Sequence, residues 1–481
     1  MVNAGEFRAR CAVLLLATLV LTAAAWLRSA EYDEQYTLFL TAGTARPDWP
    51  ATLFRAGAVA ETQAGHATVG GIARDLRATD VHPPLYFWAI SLWRRMLGPG
   101  LFPARMLSVL CGVVSIALVG IIAGRCSIRP SVAMLLTLGC YGFVYTNAIA
   151  RGFAAAEMLT LGGVALLLGR RRVLAGVCLG AAWCCNYLAV FVGVTALIVA
   201  GAWVAIPAAI PFLGLDAWFF VAQHASRAGQ FPPFAVWPSV VRLAEYEVAA
   251  VFGGLPLYVD GGWRVATEAG LGMVVVALLV CIARVRPWLA NRLVLAAAVA
   301  PPLGLLLLGA VFNNTPIELR YLSFGLPFVA LLAAASCALP ATPRSRFPGR
   351  LGFLALLLTL QSVSIAGLLL SPRTMQPARI AVAEAARLAG DAIVLVPAGN
   401  DGVGIVGAFG IEASPTLPIL LIRPGDLIAD RVASYHRVAL ALLTEDRDSI
   451  AAIRDARGVF NPPNWRRVAI GTKLEVYERG E

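Results

Sequence analysis

Three carboxylates crowd into the run Glu31-Tyr32-Asp33-Glu34-Gln35-Tyr36, directly after the first long apolar stretch of the chain. Acids gathered at the end of an apolar helix are either the solvated start of a loop or a base for a reacting hydroxyl. An electrostatic partner for that hydroxyl is the other functional role open to Glu31, Asp33 and Glu34. A second polar group lies in Thr79-Asp80-Val81-His82-Pro83-Pro84-Leu85-Tyr86. The paired prolines stop the preceding chain and fix the start of the next helix. Asp80, His82 and Tyr86 are therefore candidates for contacting substrate, the plainer reading being a rigid turn with a polar cap. Arginines form a third group: Arg105 opens one apolar run, Arg151 ends another, and Arg320, followed by Tyr321, opens a later one. A single arginine at a bilayer edge can snorkel. Three at one leaflet, facing the acidic cluster, make a clamp for a lipid phosphate, because the guanidinium fork pairs with two phosphate oxygens. Glu157 is an acid inside an apolar run and needs a partner, for which Arg151 is close enough in sequence.

The elements that must position these residues are membrane helices. Of 481 residues, 59% are hydrophobic and 14% charged, and the mean hydropathy is +0.75. A soluble domain carries roughly a quarter charged residues. A span needs roughly 20 residues, and apolar runs of that order fall at 11–28, 101–124, 131–150, 153–169, 173–190, 191–207, 208–223, 267–284, 289–312, 321–341 and 351–371. The expected fold is thus mostly α, a polytopic bundle of about eleven transmembrane helices. With the N-terminus cytoplasmic, Arg8, Arg10, Arg125, Arg129, Arg170 to Arg172, Arg284, Arg286, Arg292, Arg344, Arg346 and Arg350 all lie inside, as the positive-inside rule requires. Residues 83–97 are apolar but end in Arg94 and Arg95, and fit a helix lying in the membrane interface. The first run is read as a retained anchor.

The net charge of +11 sits mostly in these short loops, so it is no signal for nucleic acid. The only lysine is Lys473, which leaves phosphate binding to arginine. Nine cysteines lie in or beside apolar runs without a CxxC pair, and four histidines are dispersed. No metal site, cofactor or disulfide framework is expected.

Residues 1–371 form the expected membrane module, with outer loops at 29–100 and 224–266. Residues 372–481 change character. Strand-like runs at 393–397, 418–422, 438–443 and 473–478 alternate with helix-like stretches such as 445–457, which predicts a small extracytoplasmic α/β domain. It contains Gly402-Val403-Gly404-Ile405-Val406-Gly407, a GxGxxG pattern. Residues Pro397 to Asp401 separate it from the strand that should lead straight into it, and the tail lies outside, so a dinucleotide site is rejected in favour of a glycine-rich loop.

Together, the Glu-x-Asp-Glu cluster, Asp-Val-His-Pro-Pro-Leu-Tyr, Ala-Arg-Met-Leu-Ser at the second span and Arg-Tyr-Leu-Ser-Phe-Gly-Leu-Pro late in the chain resemble the GT-C membrane glycosyltransferases. The branch they resemble holds the bacterial relatives of protein O-mannosyltransferases and aminoarabinose transferases. That resemblance implies a multi-pass protein of the bacterial inner membrane. It implies a polyprenyl-phosphate-linked sugar, hexosyl or pentosyl, as donor, and an inverting, metal-independent transfer to an acceptor glycan, lipid or protein. It places Asp33 at the catalytic acid position, and Arg105, Arg151 and Arg320 as holders of the departing phosphate. Where relatives often follow the arginine with a tyrosine-containing turn, this chain has Arg151-Gly152-Phe153. The alternative is a transporter or flippase of a lipid-linked or polyanionic substrate. Against it stand the lack of an internal repeat and the gathering of polar residues at one membrane face.

Overall fold

The computed structural model describes residues 4–223, 231–253, 262–285, 291–338, 350–371 and 377–480. They divide into two compact units. The first is helical and holds residues up to Leu27, Leu76–Phe87 and Arg105–Ser371. The second is α/β and holds Arg28–Asp75, Trp88–Ala104 and the C-terminal segment. One division between the units falls between Ser371 and Pro372. Most of 29–100, expected as an outer loop, belongs to the same unit as the tail.

In the helical unit, α1 (Ala4–Leu27) and α6 (Leu101–Arg125) are the first long apolar helices. Leu15 and Leu19 of α1 and Leu110 and Ile121 of α6 are exposed, as expected where lipid is the solvent. Seven described helices are long and apolar enough to cross a membrane: these two and Trp203–Ala222, Gly262–Arg284, Arg292–Phe312, Leu319–Cys337 and Leu351–Leu370. The chain is a multi-pass membrane protein. Each of the eleven expected spans contains helix in its described part, but four fall on shorter apolar helices: α7 (Pro130–Gly139), α9 (Phe153–Leu168), Arg172–Trp183 and Ala189–Val199. The expected span 131–150 is not one helix. It breaks at Cys140, whose φ of −67° and ψ of 121° are extended, and resumes as α8 (Tyr141–Thr146). Part of the segment 224–266 lies outside the described residues, as do Arg286, Arg344 and Arg346; what is described includes the helix Val236–Phe252.

In the α/β unit the strands are β1 (Phe54–Arg55), β2 (Ile393–Pro397), β3 (Pro418–Ile422), β4 (Arg437–Ala441), β5 (Trp465–Ile470) and β6 (Leu474–Arg479). They form one sheet in the order β1-β3-β2-β4-β6-β5. The centre is parallel, with Leu395 opposite Leu420 and Leu440; β1, β6 and β5 pair antiparallel. β2 is buried on both faces, which is why it reads as an unbroken apolar run. Val394, Val396, Ile419 and Leu421 pack with Phe39, Val406 and Phe409. Leu395, Leu420 and Leu440 pack with Ile453, Ala456 and Phe460 on the opposite side. β5 was not anticipated.

Candidate active site

The helical unit gathers charge around the turn between α4 (Val69–Thr79) and α5 (Leu85–Leu97). Pro83 and Pro84 deliver the chain into α5, whose first amide, Leu85 N–H, donates to Cys184 O at 2.9 Å. Gln223 Nε2 donates to the carbonyls of Leu76 (3.1 Å) and His82 (2.8 Å), and Tyr187 Oη donates to Gln223 Oε1 at 3.0 Å. The turn is thus pinned from two other helices.

On it, Asp80 Oδ1 lies 2.7 Å from His82 Nδ1 and accepts the Val81 N–H at 2.6 Å. Arg151 completes the cluster, with Nη1 3.7 Å from Asp80 Oδ2 and Nη2 3.3 Å from His82 Nδ1. Its guanidinium also stands 5.9 Å from the Phe87 ring centre. Asp80 and Arg151 are both buried. Burial works against an ionised Asp80, but the fields of His82 and Arg151 and its hydrogen bonds outweigh it and hold the carboxyl well below the usual range. Burial, reinforced by Arg151, lowers the basicity of His82, with Asp80 pulling the other way.

Arg151 stands in the turn between α8 and α9, ahead of Gly152. A Cβ at 152 would lie 2.3 Å from Cys185 O and 3.4 Å from Tyr86 Cβ, so only glycine lets the turn reach its neighbours. Phe153 stacks on Tyr321, centroids 6.2 Å apart at 28°. The charge of Arg151 reaches that phenol. Arg320 Nη2 meets Glu318 Oε2 at 2.6 Å and its guanidinium lies 5.5 Å from the Tyr321 ring centre. The structure therefore brings Asp80, His82 and Arg151 into contact, while Phe153, two residues after Arg151, stacks on Tyr321, whose ring Arg320 approaches.

Other expected residues are placed differently. Arg105 is buried and Nη1 donates to Ala25 O at 2.9 Å, serving a carbonyl near the end of α1. The partner shown for Glu157 is Asn147, whose Nδ2 donates to Glu157 Oε2 at 3.0 Å, where Arg151 had been expected. Tyr86 is buried, its ring 5.9 Å from Phe87. In the α/β unit, α2 (Tyr32–Ala42) begins at the acidic cluster. Glu34 is buried and its Oε2 accepts the Glu31 N–H at 3.0 Å, a helix-capping role. Glu31 pairs with Arg28. Asp33 is half-buried on the first turn of α2. The sequence reading missed Gln223, Asn147 and Glu318. The one signal for the amides was a polar side chain within an apolar run.

No protein-family model matches the sequence, and no curated protein does. Among solved structures, ArnT from Cupriavidus metallidurans bound to undecaprenyl phosphate superimposes with a TM-score of 0.50 at 13% identity, over 99% of this chain and 98% of that one. The fold of this chain is thus similar to that of ArnT. The apo form of ArnT from the same organism gives 0.49 at 14% identity over 97% of each chain. A mycobacterial arabinofuranosyltransferase, AftD, gives 0.38 at 15% identity over 98% of this chain and 42% of that one. Within this fold, Asp80 and Arg151 form a buried charged pair in the helical unit, with His82 in contact with both.

Proposed function

We propose that this chain transfers a sugar from a polyprenyl-phosphate carrier to an acceptor hydroxyl at the outer face of the bacterial inner membrane, with inversion at the anomeric carbon. The N-terminus is cytoplasmic and the α/β unit extracytoplasmic in this reading. The observation that carries it is the pair Arg151 and Arg320 around the Phe153–Tyr321 stack, in a GT-C fold. Two guanidinium forks suit a phosphate, and a phosphate whose charge is neutralised leaves without a separate general acid. The ArnT structure with undecaprenyl phosphate supports this class of carrier. Asp33 is the carboxylate we assign to the acceptor hydroxyl, to orient it or to take its proton. Glu157 supports the Arg151 turn through Asn147.

The test is mass spectrometry of lipid that copurifies with the protein in mild detergent, wild type beside Asp33→Asn. A polyprenyl phosphate, carrying sugar on the variant, is the expected result and identifies the donor. Bulk phospholipid alone, even after polyprenyl phosphate is added, sinks the reading in favour of a transporter.

A further inference from the structure

We propose that His82 is the base that receives the acceptor's hydroxyl proton, at Nε2, with Asp80 as the positioning residue that holds its ring. This inference rests on the transferase reading above; of the two roles given there to Asp33 it keeps the orienting one and passes the proton to His82. His82 Nδ1 is 2.7 Å from Asp80 Oδ1. An ionised carboxylate can only accept a hydrogen bond, so the proton of a neutral imidazole is placed on Nδ1 and the lone pair on Nε2. Arg151 Nη2, 3.3 Å from the same Nδ1, would favour the opposite tautomer. Its contact is the longer one, and the same guanidinium faces Asp80 Oδ2. The carboxylate–imidazole arrangement is the one by which a buried acid fixes the tautomer of a catalytic histidine. The backbone beneath the ring is fixed as well, by Gln223 on the His82 carbonyl and by the two prolines that follow. His82 is the one imidazole of the helical unit among the described residues.

The step balances without another reactant. The acceptor O–H proton passes to Nε2 while its oxygen bonds to the anomeric carbon. The bond from that carbon to the phosphate oxygen breaks, and its electron pair leaves with the polyprenyl phosphate, held by Arg151 and Arg320. The imidazolium then loses its proton to water.

The charged groups whose fields reach His82 are Asp80 on its own turn and Arg151 on the turn before α9. Arg151 and burial favour the neutral ring, against the pull of Asp80; a phosphate arriving at Arg151 offsets that positive charge. Donor binding thus makes His82 a better base at the moment a base is needed.

The experiment uses the full chain in lipid nanodiscs, labelled with ¹⁵N-histidine, with His66→Gln, His224→Gln and His436→Gln so that His82 is the sole reporter. Ring nitrogen shifts read the tautomer and the titration midpoint, without and with undecaprenyl phosphate. The expected result is the Nδ1–H tautomer, a midpoint below the ordinary histidine value, and a rise when the lipid is added. Asp80→Asn loses the tautomer preference. In transfer assays His82→Gln lowers kcat by roughly 10²–10⁴-fold and abolishes the acid limb of the pH profile, while lipid affinity stays within about twofold, since His82 supplies no contact to the phosphate. An Nε2–H tautomer, a midpoint unmoved by bound lipid, or an acid limb that survives in His82→Gln overturns the assignment of His82 alone. A chain that binds no undecaprenyl phosphate overturns the transferase reading, and this step with it.

Discussion

Arg320 offers a measurable test of the phosphate clamp, because its partner in the structure is known. Its guanidinium meets Glu318 at 2.6 Å, with the two side chains 20% and 32% exposed. An ion pair with that much solvent contributes at most about 1 kcal/mol. A charge-assisted hydrogen bond to phosphate contributes about 1.5–3 kcal/mol. The phosphate therefore wins the guanidinium from Glu318, at a cost smaller than the gain. Arg320→Ala should weaken binding of undecaprenyl phosphate by the difference, about 0.5–3 kcal/mol, or roughly 2- to 150-fold at about 1.4 kcal/mol per factor of ten. Glu318→Gln, nearly the same shape without the charge, should strengthen it by up to roughly fivefold, the worth of the competing pair.

Both variants can be titrated in nanodiscs by the change in tryptophan fluorescence, with undecaprenol, which lacks the phosphate, as the control ligand. The opposite signs matter more than either magnitude. Damage to the fold would weaken binding in both variants; competition for one guanidinium moves them apart. Unchanged affinity in Arg320→Ala, or weaker binding in Glu318→Gln, refutes the placement of the phosphate at Arg320.

Asp33→Asn should abolish sugar transfer with the melting temperature unchanged, because Asp33 is half-buried and the helix cap is supplied by Glu34; transfer at the wild-type rate removes Asp33 from the mechanism. Gly152→Ala places a Cβ 2.3 Å from a backbone oxygen, and the overpacking should cost about 1–3 kcal/mol and displace the Arg151 turn. A detergent melting curve and a transfer assay check it, and a wild-type result in both would show that the turn yields freely. Glu475 accepts from both Arg457 nitrogens at 2.9 Å, from Tyr477 Oη at 2.7 Å and from Arg467 at 3.3 Å. Burial opposes its ionisation, but these bonds and charges prevail and lower its pKa. A lowered folded value means the stabilisation is complete above the ordinary glutamate range and is lost as pH falls through the folded value. Hydrogen exchange across 465–479 should accelerate over that acid window in the wild type, and Glu475→Gln should flatten the dependence; identical profiles would contradict the linkage.

Hydropathy located the helices well, because a lipid-facing helix must be apolar along its whole length, and that is a local property. It did not foresee the break at Cys140 or helices as short as Arg172–Trp183, since a helix buried among others can stop early and stay apolar. The same locality explains the strands. β2, β3 and β4 are apolar runs packed on both faces and were legible. β5 contains Arg466 and Arg467, is largely exposed and pairs only with β6, so its sequence carries little strand signal. At the site, the stiff turn around Asp80 and His82 was readable from its prolines. Its partner was not: Arg151 comes 69 residues after His82, and only the packing of α9 brings them together. Arg105 was singled out by position alone, and that Nη1 donates to the carbonyl of Ala25 could not be read from sequence.

The glycines of the tail show how a motif can be real and its usual meaning absent. The expected loop is a helix, Gly404–Glu412, and Gly404, Gly407 and Gly410 recur along it at every third position. A Cβ at these sites would lie 2.4 Å from the Tyr32 ring, 2.8 Å from Gln35 and 2.5 Å from Val59. The glycines thus make one smooth face against which α2 and α3 (Gly57–Gln63) pack, and no space remains there for a pyrophosphate. Tyr32 and Gln35 flank Asp33 on the first turns of α2. The helix that carries Asp33 is therefore seated against glycines some 370 residues later. β1 adds a second tie by pairing with β3. The tail and the first outer segment consequently fold as one body, and a bulky side chain at Gly407 should disturb Asp33 as surely as a change beside it.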